Sequence, residues 1–191
     1  TALNIGSATI SDTAAGITIS NAAANPGTQV GLLRPSVPQT PYKITVLTAV
    51  TCEGNNYGSS GIGWLDSVSG KVEYIMNSFG NNNGGQFVVQ QQSSFTNYYA
   101  NVEVSYYGQY AKVPSWMQIY DDGTNISYGI SSDGINFTSM WTASKAGSYL
   151  GASGYNQIVW FGYGGFMNGG NQGGIYPSSP SYVTLMHWDI S

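Results

Sequence analysis

Glycine, asparagine and serine interrupt this chain almost every ten residues, so no window sustains the 3.6-residue hydrophobic period of a helix. Short runs of β-branched and aromatic residues lie between these interruptions. Residues 42–50 (YKITVLTAV) are apolar on both faces for most of their length, which is typical of a central strand. Residues 101–106 alternate instead, with Val102, Val104 and Tyr106 on one face. The pattern predicts many short strands and an all-β sandwich or barrel.

The turns between these runs favour antiparallel pairing. Residues 66–71 (DSVSGK) join two strand-like runs through Gly70, which can adopt a positive φ at little cost. Two Asp-Gly turns, at residues 122–123 and 133–134, are strong hairpin signals. They predict a three-stranded meander over residues 116–120, 126–130 and 137–141. A last strand, residues 182–190, is predicted to place five side chains on one face: Tyr182, Thr184, Met186, Trp188 and Ile190.

Charge is scarce, because only 7% of the 191 residues are charged, against about 25% in an average soluble protein. The five basic residues are scattered singly, so nucleic-acid binding is not expected. No apolar stretch approaches the roughly 18 residues that span a bilayer, and the first residues do not resemble a signal peptide. A single Cys excludes a disulfide framework within the chain. The 41% hydrophobic residues and 14% aromatics are enough to form a core.

The beginning of the chain differs in composition from the rest. Residues 1–33 contain no aromatic residue, and residues 34–41 (RPSVPQTP) contain three prolines, which is typical of an extended connector. We therefore expect one aromatic-rich domain over residues 42–191. The preceding segment, residues 1–41, either adds an edge strand or tethers the domain to a larger assembly.

Several motifs resemble those of concanavalin A-like, laminin-G-like jelly-roll domains. Residues 116–141 (WMQIYDDGTNISYGISSDGINFTSMW) are similar to the meander of these domains, and residues 61–71 (GIGWLDSVSGK) to one of their hairpins. Residues 161–164 and 187–189 look like their closing strands, so the resemblance covers residues 42–191. It implies an antiparallel β-sandwich of jelly-roll type. Similar modules occur on bacteriophage structural and tail-associated proteins, which implies a place on a virion. Such sandwiches serve as lectins, hydrolases and spacers alike, so function needs separate evidence.

Glycoside cleavage on such a sandwich requires two carboxylates about 5–9.5 Å apart. Glu53, Glu73 and Glu103 stand alone on different segments, and no E-x-D or E-x-E pair occurs. Convergence of Glu73 with Glu103 across neighbouring strands is the remaining possibility. The only histidine, His187, is interpreted as a structural residue. It is expected to share one face of its strand with Val183, Leu185 and Asp189. Cys52 is interpreted as a small buried hydrophobic residue. No enzymatic activity is therefore predicted.

Oxygen-bearing side chains cluster at the two Asp-Gly turns, where Asp121, Asp122 and Asp133 are weak calcium candidates. The simpler interpretation is that these carboxylates bond the backbone of their own turns. No calcium-binding motif supports a metal, so no cofactor is predicted.

Aromatic loops rich in Asn and Gly are the best functional lead. Tyr rings can stack on sugar C–H faces, while Asn amides bond sugar hydroxyls. The candidate loops are residues 55–57, 97–99, 106–110 and 166–176. The candidate ligand-binding residues are Tyr57, Tyr107, Tyr110, Asn168, Asn171 and Tyr176. The same aromatics could instead be good strand formers or bury themselves in a subunit interface.

These observations predict a non-catalytic surface or appendage module of a virion that recognises host-surface glycans weakly and in many copies. A purely structural assembly module is the alternative, and a glycoside hydrolase on the same fold is the third possibility. The expected partners are other virion proteins or further copies of this chain, reached through residues 1–41, and cell-surface polysaccharide. We expect a homo-oligomer, with no nucleic acid and no membrane insertion.

Overall fold

The computed structural model describes residues 1–5, 8–21, 29–51, 58–80, 84–107, 115–164 and 181–191. The described residues form fourteen strands and one short 3-10 helix, Lys145–Gly147. The strands are β1 (Ala2–Leu3), β2 (Thr9–Thr13), β3 (Gly16–Asn21), β4 (Gln29–Arg34), β5 (Tyr42–Thr51), β6 (Gly58–Leu65), β7 (Val72–Gly80), β8 (Gly84–Ser94), β9 (Asn97–Tyr107), β10 (Ser115–Asp121), β11 (Asn125–Ser131), β12 (Thr138–Ser144), β13 (Gln157–Gly164) and β14 (Ser181–Ile190). Within this part of the chain, no helix is long and apolar enough to cross a membrane.

The strands form two seven-stranded antiparallel sheets, so the predicted all-β sandwich is confirmed. The order in sheet 1 is β1-β4-β13-β6-β7-β8-β9, and the order in sheet 2 is β12-β11-β10-β5-β14-β3-β2. The run at residues 42–50 is a central strand, as predicted, since β5 pairs with β10 on one side and β14 on the other. Ile44 and Val46 on its inner face are fully buried.

The main core lies between the sheets, where alternate residues of facing strands meet. Trp64 and Trp160 are its largest side chains. A second apolar cluster lies on the opposite face of sheet 1 and contains Tyr74 and Phe161. The glycines of β6 make room for these rings, because a Cβ on Gly61 would approach the Phe161 ring to 2.5 Å. Sheet 1 is therefore buried on both faces around this cluster.

The predicted meander is confirmed. Strands β10, β11 and β12 pair in sequence, and both intervening turns use a glycine at positive φ, 94° at Gly123 and 76° at Gly134. The turn before β7 has the same device, with a φ of 74° at Gly70. In each case the left-handed backbone conformation is one that side chains with a Cβ rarely adopt.

Residues 1–41 contribute β1 to β4 and thus take part in both sheets. Strand β3 pairs with β14, and β4 lies between β1 and β13. β1 and β2 stand at sheet edges among the described strands. The proline-rich residues between β4 and β5 connect the first sheet to the second, so the boundary expected near residue 41 falls inside the sandwich.

The prediction that five alternate residues of the last strand share one face is wrong. The register of β14 against β5 shifts between Leu185 and His187, so Met186 is an extra, bulged residue. Before the bulge Val183 and Leu185 point into the core, whereas after it Trp188 lies opposite the buried Val46. A bulge exchanges the two faces of a strand, which strict alternation cannot anticipate.

Candidate functional site

Most of the predicted ligand-binding residues fall outside the described residues. These are Tyr57, Tyr110, Asn168, Asn171 and Tyr176. Tyr107 is the last residue of β9 and pairs with Gly85, but its side chain is not among those described. Their role in ligand binding stays a prediction.

The candidate loop at residues 97–99 is described, and it belongs to strand β9 rather than to a loop. β9 stands at the edge of sheet 1 and is bulged against β8. Ala100 lies opposite Gln91 and Tyr98 lies opposite Gln92, so Tyr99 is an extra residue without a partner across the strands. Bulges at sheet edges redirect side chains, and Tyr99 is 61% exposed.

Tyr99 stacks on Tyr149, with 5.2 Å between ring centroids and 20° between ring planes. Tyr149 lies in the connection between β12 and β13, two residues after the end of the 3-10 helix. The ammonium of Lys71, at the end of the turn before β7, lies 4.8 Å from the centroid of the Tyr149 ring. Lys71, Tyr99 and Tyr149, here called the aromatic shelf, bring three segments together on the surface. A cation and an exposed ring thus contact the same tyrosine, Tyr149.

A buried carboxyl group lies close to the shelf. Glu73 of β7 has no exposed surface and points between the sheets, opposite Trp64 of β6. Its Oε1 accepts hydrogen bonds from the hydroxyls of Tyr128 at 2.9 Å and Tyr155 at 3.1 Å. Its Oε2 accepts one from the side-chain amide of Gln91 at 2.8 Å. Burial raises the pKa of Glu73, although these donors oppose the rise.

Aromatic rings enclose this carboxyl group. Trp64 makes edge contacts with Tyr128 and Tyr155, with centroids 5.3 and 5.2 Å away. Burial, and then the charge of Glu73, raise the pKa of Tyr128 and Tyr155. The pKa of Tyr149 on the shelf is also raised, first by burial and then by the proximity of Tyr99 and Glu73. Tyr149 therefore lies within electrostatic range of the buried carboxyl group.

A second buried carboxylate connects to the same cluster through Trp64. The indole N–H of Trp64 donates to the Tyr42 hydroxyl at 2.7 Å, and Tyr42 lies opposite Asp121 in the β5–β10 pair. Asp121 is fully buried and pairs with Lys145, with 2.6 Å between Nζ and Oδ2. Burial raises the pKa of Tyr42, and Asp121 adds to the rise. Lys145 in turn lies 5.8 Å from the centroid of the Tyr155 ring.

The structure corrects the position of Asp121, which the sequence placed in a turn. β10 extends through this residue, and the period of two carries it inward after Met117 and Ile119. The alternation was visible in the sequence, but the Asp-Gly signal at residues 122–123 led us to assign both Asp121 and Asp122 to the turn. As a calcium candidate, Asp121 is already paired with Lys145 and accepts the backbone N–H of Gly123 at 2.8 Å.

The other two calcium candidates bond their own turns. Asp122 accepts the backbone N–H groups of Thr124 and Asn125 at 2.7 and 2.6 Å. Asp133 accepts those of Ile135 and Asn136, both at 2.8 Å. These bonds hold the pKa of both carboxyl groups below the usual range. Over the described ranges, no group of three His, Cys, Asp or Glu side chains is placed to hold a metal.

The carboxylates of Glu73 and Glu103 are not brought together. Their strands, β7 and β9, are separated by β8, which puts them about 9–10 Å apart across the sheet before the offset along the strands is added. Glu73 is buried, whereas Glu103 is exposed. The convergence across neighbouring strands that the sequence left possible therefore does not occur.

His187 does not share a face with Val183 and Leu185, because the bulge at Met186 separates them. It lies opposite Leu47 and contacts the ring of Trp116 edge-on, with centroids 5.2 Å apart. Glu53 and Cys52 lie outside the described residues.

Only one residue of the shelf was predicted from the sequence. Tyr99 belonged to a candidate loop, whereas neither Lys71 nor Tyr149 was marked. Lys71 ends a hairpin turn and Tyr149 follows a 3-10 helix, so nothing local indicates that they meet. The pairing of β7 with β8 and of β8 with β9 brings Lys71 and Tyr99 to the same part of sheet 1. The connection between β12 and β13 then adds Tyr149 through its contact with Tyr99.

Neither a protein-family model nor a curated protein sequence matches this chain. Among solved structures, the chain is similar to the legume lectin-like domain from Entamoeba histolytica, with a TM-score of 0.64, 11% identity, and coverage of 96% of this chain and 87% of that one. It is similar to the Crh5 transglycosylase in complex with NAG, with a TM-score of 0.61, 11% identity and coverage of 96% and 75%. It also resembles the CBM2 module of the evolved Dit of Lactobacillus casei BL23 phage J-1, with a TM-score of 0.50, 8% identity and coverage of 87% and 76%. The fold is therefore the concanavalin A-like jelly roll that the sequence motifs implied.

Proposed function

We propose that this protein is a non-catalytic module that binds glycans through aromatic side chains, displayed in several copies on the surface or an appendage of a virion. The observation that carries the proposal is the aromatic shelf, where a bulge in β9 turns Tyr99 outward onto Tyr149. An exposed aromatic ring held by a second ring offers a rigid stacking surface for a sugar at little entropic cost. The mechanism is shallow contact, strengthened by repetition of the module.

Two likenesses in fold support this proposal without deciding it. One solved neighbour is a legume lectin-like domain, and another is a CBM2 module of a phage protein. The virion placement is supported by the phage module and by the motifs at residues 61–71 and 116–141. The non-catalytic part is supported by the separation of Glu73 from Glu103 and by the burial of Glu73.

The test is binding of the whole chain to an array of host-surface glycans and polysaccharides. We expect a signal that Tyr99→Ala reduces strongly, since this change removes the exposed ring of the shelf. Tyr182→Ala is the matched control, because Tyr182 is also an exposed strand tyrosine, with 44% of its surface accessible, but lies in sheet 2. We expect the control to bind like the wild type. Equal loss in both variants, or no binding to any glycan, contradicts the proposal.

Two further measurements separate the alternatives. If the shelf is buried between copies of the chain, Tyr99→Ala changes the oligomeric state, which sedimentation measures, and the wild type itself binds no glycan. This result favours a purely structural module. If the protein is a glycoside hydrolase, a bound polysaccharide gains reducing ends with time and Glu73→Gln stops the gain. We expect no such gain.

A further inference from the structure

Basic side chains are few, and those that the structure describes have different surroundings. Lys145 is neutralised by Asp121. The guanidinium of Arg34 donates to the backbone oxygen of Ser36 at 3.0 Å. Lys43 lies 5.3 Å from the centroid of the Tyr120 ring on sheet 2. Lys71 is the basic residue of the aromatic shelf.

The ammonium of Lys71 has no carboxylate partner among the described residues. Asp66, at the other end of the same turn, bonds that turn through the backbone N–H of Val68 and the hydroxyl of Ser69. These bonds lower the pKa of Asp66. A ring face attracts a cation but accepts none of its three N–H donors in a directed way. The Lys71 ammonium thus keeps its capacity to bond an anion.

The acidic residues around the shelf are placed so that they repel a bound anion only weakly. Glu103 follows Tyr99 by four residues on the edge strand, roughly 13 Å along β9. Exposed charges at this separation are largely screened at physiological ionic strength. Glu73 has no exposed surface, and its carboxyl oxygens are already bonded to Gln91, Tyr128 and Tyr155 between the sheets.

We propose that the aromatic shelf binds acidic polysaccharides, with Tyr99 stacked on a sugar ring and the Lys71 ammonium paired with the carboxylate of a uronic acid unit. This inference rests on the proposed glycan-binding function and narrows it to one class of ligand. Lys71 pairs with the carboxylate through a charge-assisted hydrogen bond, which is stronger than a neutral one. The shelf thereby discriminates uronic acids from neutral sugars, although stacking alone would accept both.

The test compares immobilised polygalacturonate, alginate and hyaluronate with the carboxyl-reduced form of each polymer, using the whole chain. We expect at least one acidic polymer to bind about tenfold more tightly than its reduced form, the difference that one charge-assisted hydrogen bond can supply. Lys71→Gln is expected to abolish the difference, Lys71→Arg to keep most of it, and added salt to reduce it. Lys43→Gln is the matched control, since it removes an exposed lysine that also lies over a tyrosine ring.

Each result has a distinct meaning. If acidic and reduced polymers bind equally and Lys71→Gln changes nothing, the inference is overturned while the proposed glycan binding stands. If no polymer here and no glycan on the array binds, both fail. If Lys43→Gln weakens binding as much as Lys71→Gln does, the attraction comes from net charge and not from the shelf, which also overturns the inference.

Discussion

The connection between β12 and β13 supplies one tyrosine to each of two regions that use this residue in opposite ways. Tyr155 turns inward, is 2% exposed and hydrogen-bonds Glu73 between the sheets. Tyr149, six residues earlier, lies at the surface beneath the exposed ring of Tyr99. In the interior the hydroxyl group has a fixed acceptor and the ring has no free face. On the shelf the ring face is what remains available.

Aromatic content alone therefore does not locate a binding surface. The interior region, made of Glu73, Trp64, Tyr128 and Tyr155 with the Asp121–Lys145 pair, stabilises the sandwich. Substitutions there should therefore change the free energy of unfolding. Substitutions on the shelf should change binding and leave stability nearly unaltered.

The largest effect is expected from Lys145→Met. This change leaves the fully buried carboxylate of Asp121 without its cation, and breaking a buried ion pair in this way costs about 3–5 kcal/mol of unfolding free energy. Urea denaturation of the wild type and the variant measures it. The double variant Asp121→Asn, Lys145→Met is the control, because asparagine still accepts the N–H of Gly123 without a buried charge. It should recover much of the loss. A cost of less than about 1 kcal/mol for Lys145→Met would mean that the pair behaves like an exposed one.

The sequence anticipated those features of the fold that depend on local signals. The Asp-Gly turns indicated the meander β10-β11-β12, and the apolar run at residues 42–50 indicated the central strand β5. The bulges at Tyr99 and Met186 were not anticipated, because a bulge depends on the length of the paired strand as well as on the residue itself. The part of the shelf that depends on Lys71 and Tyr149 was missed for the same kind of reason, since non-local pairing brings these residues together.

Whereas Lys145→Met should destabilise the protein, Glu73→Gln should gain stability relative to the wild type as the pH rises. Burial raises the pKa of Glu73 above its ordinary value of 4.5, so ionising this group costs more in the folded chain than in the unfolded chain. Its contribution to stability is present below the unfolded pKa and is lost as pH rises through the folded pKa. The variant lacks this loss, so its stability relative to the wild type should increase from pH 4 to pH 8. Thermal unfolding across this range measures the trend.

The exposed Glu103→Gln serves as the control for Glu73→Gln and should run parallel to the wild type across the pH range. If Glu73→Gln instead becomes relatively less stable as the pH rises, the carboxylate is ionised in the folded chain and its three hydrogen-bond donors outweigh the burial. The interior region would then depend on a buried charge.

The smallest effects come from a matched pair that removes only a hydroxyl group from each region. Tyr155→Phe deprives the buried carboxyl group of one hydrogen-bond donor, which should cost about 1–3 kcal/mol of unfolding free energy. Tyr99→Phe should stay within about 0.5 kcal/mol of the wild type, as expected for an exposed side chain. Both are measured by denaturation, and glycan binding is measured alongside. Because the phenyl ring introduced by Tyr99→Phe keeps its stacking face, binding should persist in this variant and fall only in Tyr99→Ala. If Tyr99→Phe were to lose binding completely, the hydroxyl rather than the ring face would be the recognition element, and the shelf would bind by hydrogen bonding instead of by stacking.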